Sequence, residues 1–208
     1  ELCQIEKEGE AMVNNLFTSS PSVRSSRILY TPSPFARSSL LHLQEVGSLT
    51  AIRPHTSKRE KLQSYLCFMV EDGEGELVYE GKKYELRRGD VVFIDCRKAY
   101  SHSTGMNPNA GLWSLRWCHF YGPSMPAIYA KYCERGGLPV IRGADVSVDL
   151  ARGADMGRRD DVSCGADVSQ YAAILTDIYT LASSSDYIRD MRINGKLNDL
   201  LTLLMESS

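Results

Sequence analysis

The side chains able to do chemistry in this 208-residue sequence are few and dispersed. Four histidines stand at His42, His55, His102 and His119, and none has a recognisable serine or cysteine nucleophile paired with it. Covalent catalysis, which needs a nucleophile activated by a base, therefore has no support. Six cysteines, Cys3, Cys67, Cys96, Cys118, Cys133 and Cys164, form no C-x-x-C pair, so zinc ribbons and thioredoxin-like motifs find none either. Cys67, Cys96 and Cys118 lie in apolar runs, where a thiol behaves as a small hydrophobe, and reduced structural cysteines are expected. What remains is recognition. Trp113, Leu115, Trp117 and His119 alternate, so they share one face of a strand. An indole on such a face can stack on a pyranose and give its N–H to a neighbouring oxygen. On the same strand His119 is expected to be core, and His42, in an earlier strand, a satisfied half-buried side chain.

These residues need elements to position them. Lys and Arg number 24 against 26 Asp and Glu, a net charge of −2, which makes the chain itself a poor match for nucleic acid. No apolar run reaches membrane-spanning length and no signal-peptide pattern opens the chain, so it reads as soluble and cytoplasmic, with no membrane partner. Residues 1–38 read as an N-terminal arm: Glu1 to Phe17 has room for a short helix, and Thr18 to Arg37 is rich in Ser and Pro, which favours extended chain. Leu40 to Val46 and Leu49 to Ile52 flank Gly47-Ser48 with hairpin spacing. Short strands then recur at Tyr65–Val70, Glu76–Tyr79, Tyr84–Leu86, Val91–Ile94 and Leu112–Phe120, separated by glycine-bearing turns. That rhythm predicts an antiparallel sandwich or barrel over residues 39–126. The run Lys58-Arg59-Glu60-Lys61 reads as a solvated loop.

After Pro126 the period moves towards that of helices. Ile128, Tyr129 and Tyr132 suit a short helix stopped by Gly136-Gly137. Residues 142–167 repeat Gly-Ala-Asp without apolar period and read as a mobile insertion, open to trypsin at Arg152, Arg158 and Arg159. Tyr171, Ile174, Leu175, Ile178 and Leu181 mark one helical stripe. A second, Ile193, Leu197, Leu200, Leu201 and Leu204, is expected to pair two copies of the chain, making residues 127–208 a helical dimerisation region.

The segment from Gly73 to Asp90, with the pattern G-x-G-x-L-x-Y-x-G-x-x-Y-x-L-x-x-G-D, followed by Trp113 to Phe120, Gly122-Pro123 and two closing helices, resembles a cupin. More narrowly it is similar to the effector-binding half of AraC/XylS-type transcription regulators, from about Leu40 to the C-terminus. The resemblance implies a mainly β fold (α+β), a cupin-like double-stranded β-helix or jelly roll followed by a helical pair. It implies a small-molecule effector, of the sugar or a related class, bound inside the barrel. It also implies a homodimer and contact with DNA only through a helix-turn-helix domain that would follow Ser208. The first residue, Glu1, and the apolar stripe running to the end fit a piece of a longer protein.

By the same resemblance Arg53 contacts a sugar and Trp117 stacks on it, while His102 points into the barrel. His55, Tyr100 and Trp113 complete the expected ligand set. Metal-dependent cupins use two His, a Glu and a later His, but here Ser57 and Tyr100 stand at two of the ligand positions. No metal or other cofactor is expected, and the protein is read as a sensor with no catalytic residues. The alternative is a metal-free cupin enzyme, such as a sugar isomerase or epimerase, with His102 and Tyr100 as acid–base pair.

Overall fold

The computed structural model describes residues 14–20, 22–105, 112–143 and 168–208. Its centre is one long antiparallel ribbon. At the tip, Glu80 and Gly81 both take positive φ, 50° and 76°, as a two-residue hairpin turn matched to strand twist requires. This turn joins β6 (Glu74–Tyr79) to β7 (Lys82–Arg87). Outside that hairpin β5 (Tyr65–Asp72) pairs with β8 (Val91–Asp95), β4 (Thr56–Arg59) with β9 (Tyr100–Thr104), and β3 (His42–Ala51) with β10 (Ser114–Tyr121). Wrapping this ribbon on itself deals successive strands into two sheets. One has the order β4-β9-β6-β7, and the other contains β3-β10-β5-β8. This is a jelly-roll-like β sandwich, as the strand rhythm predicts.

The larger sheet is extended by β1 (Asn14–Ser20) and β2 (Val23–Leu29) at the β3 edge, and by β11 (Val140–Ile141) at the β8 edge. Residues 18–37 are thus no extended arm. Ile28 and Tyr30 are buried, and pairing along β3 overrides the weak strand preference of a serine-rich segment. Ser33 caps a short helix α1 (Pro34–Ser39), its Oγ accepting from Ala36 N at 3.2 Å. The proposed hairpin at Gly47-Ser48 is likewise absent, since β3 runs straight through it. A Cβ at Gly47 would lie 2.5 Å from the Ser26 carbonyl oxygen and 2.8 Å from the Trp117 ring. The glycine is there for close approach rather than for turning. Lys58 and Arg59 of the charged run also enter a sheet, as the end of β4, while Glu60 and Lys61 follow it in the loop.

Strand alternation divides the apolar residues between two cores. Leu66, Phe68, Val70, Leu77, Val92 and Leu115 fill the space between the sheets. Cys67, Met69, Phe93, Cys118 and Phe120 point the other way, towards α2 (Met125–Glu134), α3 (Val168–Ser183) and α4 (Arg189–Glu206). Ile193, Leu197, Leu200 and Leu204 are at most 1% exposed and Leu201 is 5% exposed within a single chain. The stripe assigned to a dimer seam is therefore core. Both C-terminal helices lie on the outer face of the large sheet, and α4 turns its leucines inward. Of the expected insertion, Arg142 and Gly143 are anchored: Arg142 Nη1 pairs with the buried Asp90 carboxylate at 2.6 Å, and Gly143 N donates to its other oxygen at 3.3 Å. Residues 144–167, with the predicted tryptic sites, lie outside the described residues. No helix among the described residues is long and apolar enough to cross a membrane.

Candidate functional site

A cavity of about 200 Å³ opens between the sheets on the side of β2 and β4. Three strands of the large sheet deliver its floor by alternation: Val23, Ser25 and Arg27 from β2, Glu45 and Leu49 from β3, Leu115, Trp117 and His119 from β10. Register places Arg27, Gly47, Trp117 and Phe68 in one rung across four strands. The missing side chain at Gly47 is what lets the Trp117 indole lie flat there. The facing sheet supplies the other wall, with Ser57 and Arg59 of β4 opposite His102 and Tyr100 of β9. His55 enters just before β4, pinned by its backbone N–H to Thr104 Oγ1 at 3.0 Å.

The polar chemistry has two zones. At the rim, the Glu45 carboxylate accepts the Trp117 indole N–H at 3.1 Å. Arg27 Nη1 stands 3.9 Å from one of its oxygens and Arg59 Nη1 3.8 Å from the other. Those separations are ionic contacts, longer than hydrogen bonds. Deeper in, Tyr100 Oη, His55 Nδ1 and His102 Nδ1 are buried with no hydrogen-bond partner among the described residues, and so is Arg27 Nε at the rim. The weakly polar Cys96 thiol stands beside the Tyr100 hydroxyl, with the charges of Arg59 and Glu45 also acting on it. Burial, with His55 and Arg59 nearby, pushes His102 down to about 4, and burial with Arg59 and His102 takes His119 to about 3. Burial also lowers His55 and raises Tyr100. All four side chains are therefore neutral at pH 7. His119 is already satisfied, its Nδ1 lying 3.0 Å from Ser64 Oγ, as its expected core role requires. His42 is buried as well, its Nδ1 3.3 Å from the Leu40 carbonyl.

Of the expected ligand set, His55, Tyr100, His102 and Trp117 line this one cavity. Trp113 is not among them. It is fully buried just before β10, 5.8 Å between ring centroids from His102 and tight against Gly75, so it backs the wall without reaching the cavity. Arg53 is exposed between β3 and β4, its backbone N–H tied to Ser22. The guanidiniums that line the cavity are instead those of Arg27 and Arg59, which the sequence reading missed together with Glu45. A signal existed: Ser57 and Arg59 alternate with Thr56 and Lys58, as Val23, Ser25 and Arg27 do with their neighbours. Among the described residues no group of three or more His, Cys, Asp or Glu side chains is placed to hold a metal ion. Ser57 and Tyr100, at two ligand positions of metal cupins, both line the cavity. The arrangement can hydrogen-bond, stack on and charge-pair with a small polar molecule.

No protein-family profile and no curated protein matches the sequence. Among solved structures the chain is similar to the AraC-like transcriptional activator CuxR, at 8% identity over 90% of this chain and 56% of that one, with a TM-score of 0.48. It is similar to a cupin superfamily protein from Desulfitobacterium hafniense, at 12% identity over 50% of this chain and 81% of that one, TM-score 0.36. It is also similar to KdgF from Halomonas sp., at 14% identity over 52% of this chain and 87% of that one, TM-score 0.37. The likeness is one of fold, and the chain spans little more than half the length of the activator.

Proposed function

We propose that this chain is the ligand-sensing domain of an AraC-type transcription regulator and binds a small metabolite of the sugar class between its sheets. The observation that carries the reading is the cavity's set of unpartnered buried polar atoms, Tyr100 Oη, His55 Nδ1 and His102 Nδ1, beside an indole. Buried polar groups are rarely left without partners, and a bound hydroxylated molecule would supply them. The cavity is below the roughly 300–1,000 Å³ of pockets for drug-sized ligands, so the ligand is small.

Strand alternation also supports signalling. Arg27 and Trp117 face the cavity, while their chain neighbours Ser26 and Arg116 face α3. There Ser26 Oγ and Tyr179 Oη lie 2.6 Å apart, and Arg116 donates to Thr176 Oγ1. A ligand that shifts the Arg27–Trp117 rung thereby biases the seat of the helical pair, and through it two attached DNA-binding domains. The homodimer expected of such a regulator has to be built on residues other than the buried leucine stripe. The enzymatic alternative is weaker, because a His102 held near 4 is a poor general base at neutral pH.

The test is a panel of neutral and charged sugars, sugar acids and related metabolites, read by thermal shift and by tryptophan fluorescence. At least one is expected to bind saturably, with loss of binding in Trp117→Ala and Tyr100→Phe. A panel that moves neither signal, or binding indifferent to both substitutions, overturns the reading. Turnover of a bound sugar would favour the enzyme.

A further inference from the structure

The formal charges lining the cavity are Arg27, Arg59 and Glu45, so two guanidiniums face one carboxylate. Neither guanidinium is hydrogen-bonded to it, the gaps being 3.9 Å and 3.8 Å. Arg27 Nε is buried without a partner among the described residues. Each guanidinium carries five N–H donors in a fixed fork that matches a carboxylate. Glu45 is itself committed to the Trp117 N–H, which fixes it as a spacer holding the two arginines apart.

The histidines do not change this balance. Burial keeps His102 and His119 neutral at physiological pH, and among the described residues the rim keeps one positive charge more than it has negative. Behind that rim stand neutral groups that suit hydroxyls, Tyr100 and His102, and the Trp117 indole. A charged rim over a neutral, hydrogen-bonding interior describes a molecule with an anionic end and a hydroxylated body.

We infer that the ligand of this cavity is a small hydroxylated monocarboxylate of the sugar-acid class, its carboxylate held between Arg27 and Arg59 and its hydroxyls met by Tyr100 and His102. This rests on the reading of the barrel as a ligand site and narrows it. The carboxylate approaches the donors that Glu45 leaves unused, and the two fixed cations offset its desolvation. A neutral sugar would leave the rim charge unmatched, and an amino sugar would add to it.

The experiment titrates the chain at pH 7.5 with glucuronate and galacturonate, with glucose and galactose, and with glucosamine, followed by thermal shift and tryptophan fluorescence. At least one uronate is expected to bind tenfold or more tighter than its neutral parent, with glucosamine weakest, and to weaken as salt rises. Arg59→Gln and Arg27→Gln should each abolish the preference. Arg59 is partly exposed, so its variant stays folded, which circular dichroism verifies. Equal or tighter binding of the neutral sugars overturns the inference and leaves the barrel site standing. A uronate preference unchanged in both variants places the anion elsewhere and also overturns it. If none of these compounds binds, the sugar-acid assignment fails, and the broader metabolite panel decides the barrel site separately.

Discussion

Leu200→Ala separates a leucine stripe that is core from one that pairs two copies. Leu200 is fully buried within a single chain, in the layer between α4 and the outer face of the large sheet. Truncating such a side chain removes its transfer free energy and leaves a cavity, about 2–5 kcal/mol together. For a chain of this size each kcal/mol moves Tm by roughly 2–4 °C, so a fall of about 4–20 °C is expected. Gly195 supplies the opposite sign on the same helix. A Cβ there meets nothing within 4 Å, so Gly195→Ala gains helix propensity without crowding and should raise stability by about 1 kcal/mol. Both are read by thermal circular dichroism at two protein concentrations about tenfold apart, with sedimentation in parallel. A core role predicts the same loss at both concentrations and no change of oligomeric state. A Leu200→Ala chain with unchanged Tm that sediments as monomer where the parent is dimer would refute the packing argument.

Stability should also fall on acidification before the carboxylates titrate. His102 and His119 sit at about 4 and about 3 in the folded chain against 6.5 as model groups, so the unfolded chain binds the extra protons. Their contribution is whole above pH 6.5 and lost as pH falls towards about 4 for His102 and about 3 for His119, by about 1.4 kcal/mol per pH unit per histidine at most. Asp95 and Asp190 are depressed below 3.8, despite burial, by Arg97 and by Ser33 with Tyr30 respectively, and add their loss only at the acid end of that range. Denaturant titrations from pH 7 to 4 test this, and His119→Gln should lower the slope by about one proton; a flat profile would contradict neutral burial. Gly47→Ala should cost about 1–3 kcal/mol and red-shift tryptophan emission, because its methyl meets the Ser26 carbonyl and the Trp117 ring. An unaltered spectrum and Tm would show that β2, β3 and β10 have room to spare.

The barrel was legible because its turns carry their own chemistry: Gly73, Gly81 and Gly89 take positive φ between runs that alternate or are wholly apolar. Gly47 misled because a glycine kept small for a neighbouring indole looks, in one dimension, like a glycine kept flexible for a turn. The edge hairpin of β1 and β2 was hidden by serines, whose strand preference is weak and whose pairing with β3 carries no mark in the sequence. Periodicity in α4 announced an apolar face without saying what covers it, and the sheet did so before any second copy could. At the site, His55, Tyr100, His102 and Trp117 were readable from their place in the repeating pattern. Arg27 and Arg59 sat in segments dismissed as arm and loop, so the rim charge was invisible until the strands were paired.

The nesting of the ribbon sets an order in time. The hairpin of β6 and β7 closes between near neighbours, whereas β3 must wait until β10, far along the chain, has been made. Distant pairings form late because loop closure precedes any contact that rewards it. The cavity walls come largely from the outer pairs, β3 with β10 and β4 with β9. During synthesis β3 therefore leaves the ribosome with β2 as its available partner and its β10 edge still open, and the pocket is among the last features of the nascent chain to exist. A ligand of the proposed site would have no part in guiding that assembly and would act by capturing the finished barrel and slowing its reopening.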